Sequence, residues 1–300
     1  MNCKKIAAID IGSNAVRLLI VSVEEELFGP FFKKVLLLRI PLRLGEDSFS
    51  IGKISDARAH KLNKVMRAFK LLMDVHEVTN YKAYATAAMR EAKNGRKVAE
   101  KIKEKTTIKV EIIDGSVEAR IIYDSNIIDQ LDPNKNYLYV DVGGGSTELS
   151  IIVKGELAES KSFNIGTIRM LRGKVTNEEK ESMKQFLAEV KEKHAPEEII
   201  GSGGNINKLH RLAKLNKEET LTLNKLDQLY QKLKALSLDD RMDKYKLNPD
   251  RADVIVPASE IFIEIASLTG IQKIYVPTFG LVDGIVRKLY LSIKNTVTTY

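Results

Sequence analysis

One short segment of the chain combines the residue types that bind phosphate. It is YVDVGGGSTELS, residues 139–150, in which Asp141 ends an apolar run and three glycines precede Ser146, Thr147 and Glu148. Consecutive glycines are entropically costly, so a fold keeps them where the backbone turns tightly or approaches another group closely. A turn of this kind directs several backbone N–H groups toward one point, and hydroxyls add further donors. The segment therefore predicts a phosphate-binding turn between two strands.

Two carboxylates bracket the predicted turn. Asp141 ends the first strand, and Glu148 lies seven residues later, so both side chains can point toward the same side. Hard oxygen ligands of this kind suit Mg²⁺, which binds proteins through one or two carboxylates together with waters and phosphate oxygens. We therefore expect Mg²⁺ at this turn. For a single hairpin, the alternative is that Asp141 caps the turn and Glu148 faces solvent.

The beginning of the chain repeats the same pattern. AIDIGSNAVRLLIVSVE (8–24) and YVDVGGGSTELSIIVKGE (139–156) align without gaps from their aspartates onward. The matched positions are Asp10 with Asp141, Gly12 with Gly143, and Arg17 with Glu148. Each copy reads as a strand, an aspartate, a glycine-bearing turn and a second strand. The repeat predicts a duplicated domain in which each half contributes one turn, with chance similarity of two β-turns as the alternative.

The hairpins belong to a longer alternation of strands and helices. A long amphipathic helix is predicted after Ser55, its N-cap. Further helices are predicted over residues 87–105 with a break near Asn94, over residues 116–131 and from about residue 281. Strands that alternate with helices are typical of α/β folds, and the hairpins should make the sheets mixed. Pro257 should end or kink a helix.

The composition is that of a folded protein in a reducing compartment. The 300 residues are 44% hydrophobic, and the single cysteine, Cys3, leaves no disulfide within the chain. The N-terminal residues lack the apolar run of a signal peptide, and no window reaches the roughly 18 apolar residues that a membrane helix needs. We expect a soluble, cytoplasmic protein.

The net charge of +8 is unevenly distributed. Residues 1–121 hold 23 basic and 15 acidic residues, whereas residues 122–300 hold 25 of each. The segment 82–109 alone has nine basic and three acidic residues. A local positive field attracts polyanions such as a phosphate chain, a nucleotide or nucleic acid. The alternative is a solvated helix with surplus lysines.

Eight segments carry a resemblance to a known family, in that family's order and over nearly the whole chain. They are AAIDIGSNAVRLLI, ATAAMREAKNG, GSVEAR, YVDVGGGSTEL, NIGTIRM, GSGGNINKL, PDRADVIVPA and FGLVDGIV. Together they resemble the motifs of the exopolyphosphatase and guanosine pentaphosphate phosphohydrolase family in its short two-domain form. That family belongs to the actin, Hsp70 and sugar-kinase superfold, which agrees with the repeated hairpins.

The resemblance implies an α/β fold of two duplicated actin-like, or ribonuclease H-like, domains with mixed sheets and a cleft between the domains. We expect the first domain at residues 1–121 and the second at residues 122–289. Residues 290–300 are expected to pack back on the first domain. A homodimer is implied by the resemblance alone.

The resemblance also implies roles for individual residues. Glu118 matches the catalytic base that activates the attacking water, and Arg90 matches the arginine that grips phosphate, for which its planar fork of donors is suited. Asp141 and Glu148 match an acidic pair that acts in catalysis with Mg²⁺, and Asp10 is added as a metal ligand. The remaining substrate-binding positions are Ser13, Asn14, Arg17, Gly143, Gly144, Gly145, Ser146, Thr147, Gly203 and Gly204, with Gly201 in the same glycine loop.

The function implied is Mg²⁺-dependent release of terminal orthophosphate from inorganic polyphosphate by an activated water. Such chemistry needs a positioned water and fixed donors for the phosphoryl charge, which these residue types supply. The alternative substrate is guanosine pentaphosphate, which also presents a terminal phosphoanhydride. Aromatic residues make up only 6% of the chain and tryptophan is absent, which slightly favours polyphosphate.

Two further functions remain open at this point. A kinase of the same superfold would hold ATP in the glycine turn, and release of phosphate without an acceptor would argue against it. A non-enzymatic scaffold would use the basic segment to bind a nucleotide or nucleic acid. No recognised nucleic-acid module supports the latter, and polyphosphate competing against DNA would decide.

Overall fold

The computed structural model describes residues 4–26, 29–123, 131–277 and 280–297. Its contacts divide the chain into two compact units. Unit 1 comprises residues 1–126 together with 279–300, and unit 2 comprises residues 127–278. No helix in the described ranges is long and apolar enough to cross a bilayer.

The sheet of unit 1 has five strands within the described residues. They are β1 (Lys4–Ile11), β2 (Ala15–Glu26), β3 (Gly29–Pro41), β4 (Asn80–Ala85) and β5 (Val110–Ile112), in the order β3-β2-β1-β4-β5. The first three strands are antiparallel neighbours, whereas β4 runs parallel to both β1 and β5. The sheet is therefore mixed, and apolar side chains of β1 and β2 are fully buried on it.

Five helices of unit 1 follow or separate these strands. They are α1 (Leu44–Ile51), α2 (Asp56–Val75), α3 (Ala87–Glu91), α4 (Gly95–Thr106) and α5 (Gly115–Tyr123). The predicted cap of α2 is confirmed, because the Ser55 hydroxyl accepts a hydrogen bond from the Arg58 N–H. Leu62, Met66 and Phe69 recur at helical spacing on α2 and are buried.

The sheet of unit 2 has six strands within the described residues. They are β6 (Tyr137–Val142), β7 (Thr147–Val153), β8 (Glu156–Phe163), β9 (Glu198–Ser202), β10 (Leu221–Thr222) and β11 (Lys273–Tyr275). The order is β10-β11-β9-β6-β7-β8. Strands β6, β7 and β8 are antiparallel neighbours, and β9 runs parallel to both β6 and β11.

Seven helices accompany this second sheet in the described part of unit 2. They are α6 (Thr167–Leu171), α7 (Asn177–His194), α8 (Gly204–Leu212), α9 (Leu223–Lys234), α10 (Leu238–Tyr245), α11 (Pro249–Ala252) and α12 (Ile255–Thr269). Pro257 lies in the first turn of α12 rather than at the end or at a kink of a helix. Its missing N–H removes no helical hydrogen bond there, because first-turn amides have no partner within the helix.

The last helix, α13 (Leu281–Val297), belongs to unit 1. It packs against β1, β2, β4 and α5. At Gly284, an added Cβ would lie 2.3 Å from the Ile121 carbonyl oxygen, so only glycine permits this approach. An ion pair of 2.6 Å joins Asp283 to Lys34 of β3. Whereas the sequence-based division began the returning segment at residue 290, the contacts place the whole helix in unit 1.

The two sheets share one topology. In each, three antiparallel strands joined by hairpins are followed by two strands that continue parallel to the first, as β3-β2-β1-β4-β5 and β8-β7-β6-β9-β11. The predicted α/β class with mixed sheets and an internal duplication is therefore confirmed. The helix expected over residues 116–131 is observed as α5, and its residues 124–130 lie outside the described ranges.

Candidate active site

The glycine turn of unit 2 connects β6 to β7 as predicted. Asp141 and Glu148 are directly opposite each other in the antiparallel register, and the Gly143 N–H closes the turn on the Ser146 carbonyl at 2.9 Å. Glu148 is only 3% exposed, and its carboxylate accepts a hydrogen bond of 2.9 Å from the Ser162 hydroxyl. Residues directly opposite in a ladder point to the same face, so the two carboxylates share one face of the sheet.

The beginning of α6 holds the turn from one side. The amides of Thr167 and Ile168 donate to the Gly143 and Gly144 carbonyls at 3.0 and 2.8 Å. The Arg169 Nε donates to the Gly145 carbonyl at 2.8 Å. Three turn carbonyls are thus fixed by α6.

Three other backbone amides of the turn have no acceptor within the described residues. In the part of the chain that the structure describes, the amides of Gly144, Gly145 and Ser146 donate to no protein group. Three successive N–H donors in one turn match the predicted cradle for phosphate oxygens. The Thr147 side chain is a different case. It is fully buried, and its hydroxyl donates to the Ile165 carbonyl at 2.5 Å. This hydrogen bond links β7 to the segment before α6, so the hydroxyl proton is used within the fold.

Gly166, just before α6, explains the NIGTIRM motif. A Cβ at Gly166 would lie 2.4 Å from the Gly145 carbonyl carbon and 2.5 Å from the amide nitrogens of Gly145 and Ser146. Its backbone is extended, with φ −138°, so space and not conformation requires glycine here. The NIGTIRM motif contributes to the family resemblance, but the local sequence gives no reason for its glycine.

The glycine loop after β9 lies beside Asp141. Ser202 pairs with Asp141 in the parallel register. Gly203 has φ +106°, and an added Cβ would lie 3.1 Å from the Asp141 Oδ1. Gly201 does not line this loop, because it lies within β9, where an added Cβ would meet the side chains of Ile274, Ile206 and Phe262. Conformation and closeness to Asp141 thus require glycine at position 203, whereas Gly201 is a packing residue.

A basic group that the sequence analysis did not single out lies beside this loop. Arg251 of α11 donates to the Asn205 Oδ1 at 3.1 Å, and its guanidinium nitrogens lie 3.0 Å from where a Cβ at Gly204 would be. Burial lowers the pKa of Lys208 on α8, and the charges of Arg211 and Arg251 lower it further. Arg251 lies within the PDRADVIVPA motif, so the family resemblance was the sequence feature that could have identified it.

The corresponding turn of unit 1 has a different charge arrangement. Asp10 is 2% exposed and is opposite Arg17 in the register, with an ion pair of 2.6 Å between them. Burial raises the pKa of the Asp10 carboxyl, and the neighbouring guanidinium opposes that shift. The carbonyls of Ser13 and Asn14 accept hydrogen bonds from the amides of Gly45 and Arg43, each at 2.9 Å.

Arg90 and Glu118 lie at the same edge of the unit 1 sheet as this turn. The carboxyl ends of β1, β4 and β5 meet there, because the Thr86 amide donates to the Ile11 carbonyl at 3.2 Å and the Ile113 amide donates to the Ala85 carbonyl at 3.0 Å. Ligands of open α/β sheets bind at such an edge. Arg90 follows β4, and its Nη1 donates to the Ile113 carbonyl at 2.9 Å.

The helix that carries Glu118 is held by Asp114. The Asp114 carboxylate accepts hydrogen bonds from the Val117 amide at 2.9 Å and from the Ser116 hydroxyl at 2.7 Å. Asp114 therefore acts as the N-cap of α5. The bond from Ser116, then that from Val117, lowers the pKa of Asp114 below its usual value. Glu118, half-buried, begins the next turn of α5.

The carboxylates differ in how well they fit a divalent cation. Asp141 and Glu148 share a face beside three N–H donors, which fits Mg²⁺ bound through two carboxylates and phosphate oxygens. Asp10 fits this role less well, because Arg17 already neutralises its carboxylate. Among the described residues, no group of three or more His, Cys, Asp or Glu side chains is placed to hold a metal.

The predicted residues therefore form two sets, one in each unit. Unit 1 brings together Asp10, Ser13, Asn14, Arg17, Arg90 and Glu118 at the carboxyl edge of β1, β4 and β5. Unit 2 brings together Asp141, Gly143, Gly144, Gly145, Ser146, Glu148, Gly203 and Gly204 at the carboxyl edge of β6 and β9. Arg251 and Gly166 join the second set.

Known proteins are similar to this chain over most of its length. A relative named exopolyphosphatase 1, from Mycobacterium tuberculosis (strain H37Rv), is 25% identical over 313 residues, covering 95% of this chain and 88% of that protein. A guanosine-5′-triphosphate,3′-diphosphate pyrophosphatase from Aeromonas hydrophila is 27% identical over 301 residues, covering 95% of this chain and 59% of that protein.

A bifunctional 3-dehydroquinate synthase/phosphatase from Fusobacterium nucleatum is 31% identical over 169 residues, or 55% of this chain. The aligned part spans only 25% of that relative's length.

Solved structures share the fold. The Aquifex aeolicus member of the Ppx/GppA family has a TM-score of 0.77 at 26% identity, covering 97% of this chain and 98% of that one. An exopolyphosphatase from Cytophaga hutchinsonii has a TM-score of 0.83 at 23% identity, with the same coverage, and supports the fold alone. The family model described as Ppx/GppA phosphatase matches residues 19–293. The chain belongs to the Ppx/GppA phosphatase family.

Proposed function

We propose that the protein is a Mg²⁺-dependent phosphohydrolase that releases terminal orthophosphate from inorganic polyphosphate. The observation that carries the proposal is the unit 2 turn, where three backbone N–H donors lie beside two carboxylates on one face. Fixed donors of this kind stabilise the charge on phosphoryl oxygens, which is the main catalytic contribution in phosphoryl transfer. A relative at 25% identity is named exopolyphosphatase 1, which agrees with this substrate.

In this proposal the unit 2 turn binds the terminal phosphate. The amides of Gly144, Gly145 and Ser146 donate to its oxygens, and Gly203 keeps the backbone close to Asp141. Asp141 and Glu148 would hold Mg²⁺, which when bound would offset the charge of the phosphate oxygens. The hydrogen bond from the Ser162 hydroxyl fixes the orientation of the buried Glu148 side chain.

Glu118 would act as the general base that takes a proton from the attacking water. Its half-buried position on a capped helix limits its motion, and a positioned base is typically worth about 10²- to 10⁴-fold in rate. Arg90 would bind phosphate oxygens with its second guanidinium nitrogen while Nη1 remains bonded to the Ile113 carbonyl. These roles of Glu118 and Arg90 are part of the proposal and rest on the family resemblance.

Guanosine pentaphosphate is the second candidate substrate. The relative from Aeromonas hydrophila is named for a guanosine triphosphate-diphosphate substrate, and Arg251 beside Gly204 adds a cation next to the glycine loop. We propose a cytoplasmic location, for which a chain with one cysteine is suited. The homodimer also remains a proposal that rests on resemblance.

The experiment is orthophosphate release from long-chain polyphosphate and from guanosine pentaphosphate, each with and without Mg²⁺. We expect Glu118→Gln to lower kcat by about 10²-fold or more while substrate binding persists. Glu192→Gln on α7 is the matched control, since Glu192 is exposed and outside the proposed machinery, and it should leave the rate unchanged. Wild-type protein that is folded but releases phosphate from neither substrate would contradict the proposal.

A further inference from the structure

Helix α4 presents an unusually basic surface in unit 1. Its 12 residues, GRKVAEKIKEKT, include five basic and two acidic side chains. The buried face consists of Val98, Ala99 and Ile102 with the two terminal residues of the helix. Lys97, Lys101 and Lys105 are exposed and follow one another at four-residue steps, and we call these three the α4 lysine row.

The charges of the α4 lysine row are not neutralised within the protein. Across the described ranges, none of the three lysines has a carboxylate within ion-pair distance, and neither Glu100 nor Glu104 pairs with any cation. Like charges four residues apart on a helix repel each other. The row is therefore an uncompensated positive surface.

Positive charge at the N-terminus of α4 is also unfavourable for helix stability. The first turn holds Arg96 and Lys97 and no acidic residue, although the positive end of the helix dipole favours acids there. Asn94, at the cap position, makes no cap hydrogen bond, because its side chain is bonded to the Ile54 backbone at both N–H and C=O. The positive charge at this end is a feature that helix stability alone does not favour.

The row leads away from the edge where Arg90 lies. At Gly95 an added Cβ would be 1.9 Å from the Met89 carbonyl oxygen, so α4 begins in contact with α3, the helix that carries Arg90. At 1.5 Å per residue, the lysines are spaced about 6 Å apart and the row extends about 12 Å along the helix. A ligand at the edge could therefore continue along the row if it is long, linear and anionic.

We propose that the α4 lysine row binds the distal part of a linear polyphosphate chain that Arg90 contacts nearer to its reacting end. This inference rests on the proposed function. Polyphosphate is the one occupant that fits, since every unit of the chain is charged and lysines bind phosphate as point charges. The helix contains no aromatic side chain on which the bases of single-stranded nucleic acid could stack.

The test compares binding of long-chain polyphosphate and tripolyphosphate to full-length protein. The test variant combines Lys97→Gln, Lys101→Gln and Lys105→Gln. The matched control combines Lys217→Gln, Lys225→Gln and Lys232→Gln, which removes three exposed positive charges from unit 2. All carry Glu118→Gln to prevent turnover during calorimetry, and circular dichroism checks that each is folded.

We expect the test variant to weaken long-chain polyphosphate binding by about tenfold and to lower the slope of log affinity against log salt by about 2. Binding of tripolyphosphate, which is too short to reach both places, should change by less than about twofold, as should all binding by the control. Equal affinity of the test variant and the control for long chains would overturn the inference. Stronger wild-type binding to DNA or to anionic vesicles than to polyphosphate would also overturn it.

These outcomes are separate from the fate of the proposed function. Suppose that the wild-type protein released no phosphate but that long-chain binding depended on the α4 lysine row. The hydrolase proposal would then fail, and the row would still be a polyphosphate-binding surface. If phosphate were released normally while the row made no difference to binding or to the KM for long chains, only the row would be disproved.

Discussion

The two glycine turns, at residues 12–14 in unit 1 and 143–146 in unit 2, are built alike. Each follows the first strand of its sheet and is closed by a glycine amide, with N···O distances of 3.1 and 2.9 Å. In each, turn carbonyls accept hydrogen bonds from the segment that leads from the third strand into a short helix, α1 or α6. The duplication thus extends beyond strand order to the way the turn is held.

The two turns differ in the residue opposite the strand-ending aspartate. Asp10 is opposite Arg17 and forms an ion pair, whereas Asp141 is opposite Glu148, another carboxylate. The first arrangement places opposite charges across the ladder, and the second places two carboxylates there. One scaffold therefore supports a turn whose aspartate is paired with an arginine and a turn whose aspartate is opposite a glutamate, with the difference at a single register position.

The largest effect is expected when the second turn is given the charge pattern of the first. Glu148→Arg places a guanidinium opposite Asp141, so that the pair neutralises itself as Asp10 and Arg17 do. We expect phosphate release to fall by about 10²-fold or more and the dependence on Mg²⁺ concentration to weaken. Steady-state kinetics over a Mg²⁺ titration measures both.

The control for this exchange is Glu148→Gln, which removes the charge and keeps the shape. This variant should also lose activity. Its neutral amide should bind Asp141 less strongly than the guanidinium of the Glu148→Arg variant does. If the Glu148→Arg protein is folded and fully active at ordinary Mg²⁺ concentration, Glu148 has no role in the site.

A smaller effect is expected when the close packing behind each turn is disturbed. Gly166→Ala sets a methyl group 2.4–2.5 Å from the backbone of Gly145 and Ser146, which cannot move without opening the turn. We expect a loss of about 1–3 kcal/mol in unfolding free energy, together with reduced activity. Urea denaturation and phosphate release are the measurements.

Gly45→Ala is the matched change in unit 1. The methyl group would approach the Phe49 ring at 2.6 Å and the Ser13 Cβ at 3.0 Å, and these side chains can shift. The helix propensity of alanine offsets part of the strain, so we expect a loss below about 1 kcal/mol. Equal losses for the two variants would show that unit 2 does not hold its turn more rigidly.

The smallest effect concerns the ion pair of the first turn. Arg17→Met removes the charge that opposes the raised pKa of Asp10, and should lower the unfolding free energy by about 1–2 kcal/mol near neutral pH. Because the folded-state pKa of Asp10 is raised, its ionisation costs stability, and that cost appears as pH rises from 3.8 through the folded-state value.

The difference between wild type and Arg17→Met should therefore shrink as the pH is lowered through the raised folded-state pKa of Asp10, because the carboxyl becomes protonated and loses its charge. Urea denaturation at several pH values measures it. In an Asp10→Asn background the same substitution should give a pH-independent difference, and a persistent pH dependence there would assign the titration to another group.

Much of this architecture could be predicted from the sequence. The repeated strand-aspartate-glycine pattern indicated two hairpins of one kind, and both were observed with Asp10 and Asp141 at matching positions. The cap at Ser55 was identified from local chemistry, as was the break near Asn94 between α3 and α4. Such features depend on neighbouring residues and so are encoded locally.

Other features depend on residues distant in sequence and could not be predicted. Gly166 is required by the backbone of Gly145, which lies 21 residues earlier, and nothing near Gly166 indicates that approach. The contact between Arg251 and Asn205 spans 46 residues. The Thr147 hydroxyl was predicted to face substrate, but a carbonyl 18 residues later takes its proton.

Helix α13 has a consequence for the order in which the protein is made. Unit 1 begins with the first strand and needs α13, from the far end of the chain, to cover β1 and β4. Unit 2 is continuous in sequence. Although domains generally fold in order as they leave the ribosome, here the unit that starts first must finish last. A nascent chain therefore completes unit 2, with its glycine turn at residues 143–146, before unit 1, which can form only after synthesis has passed α13.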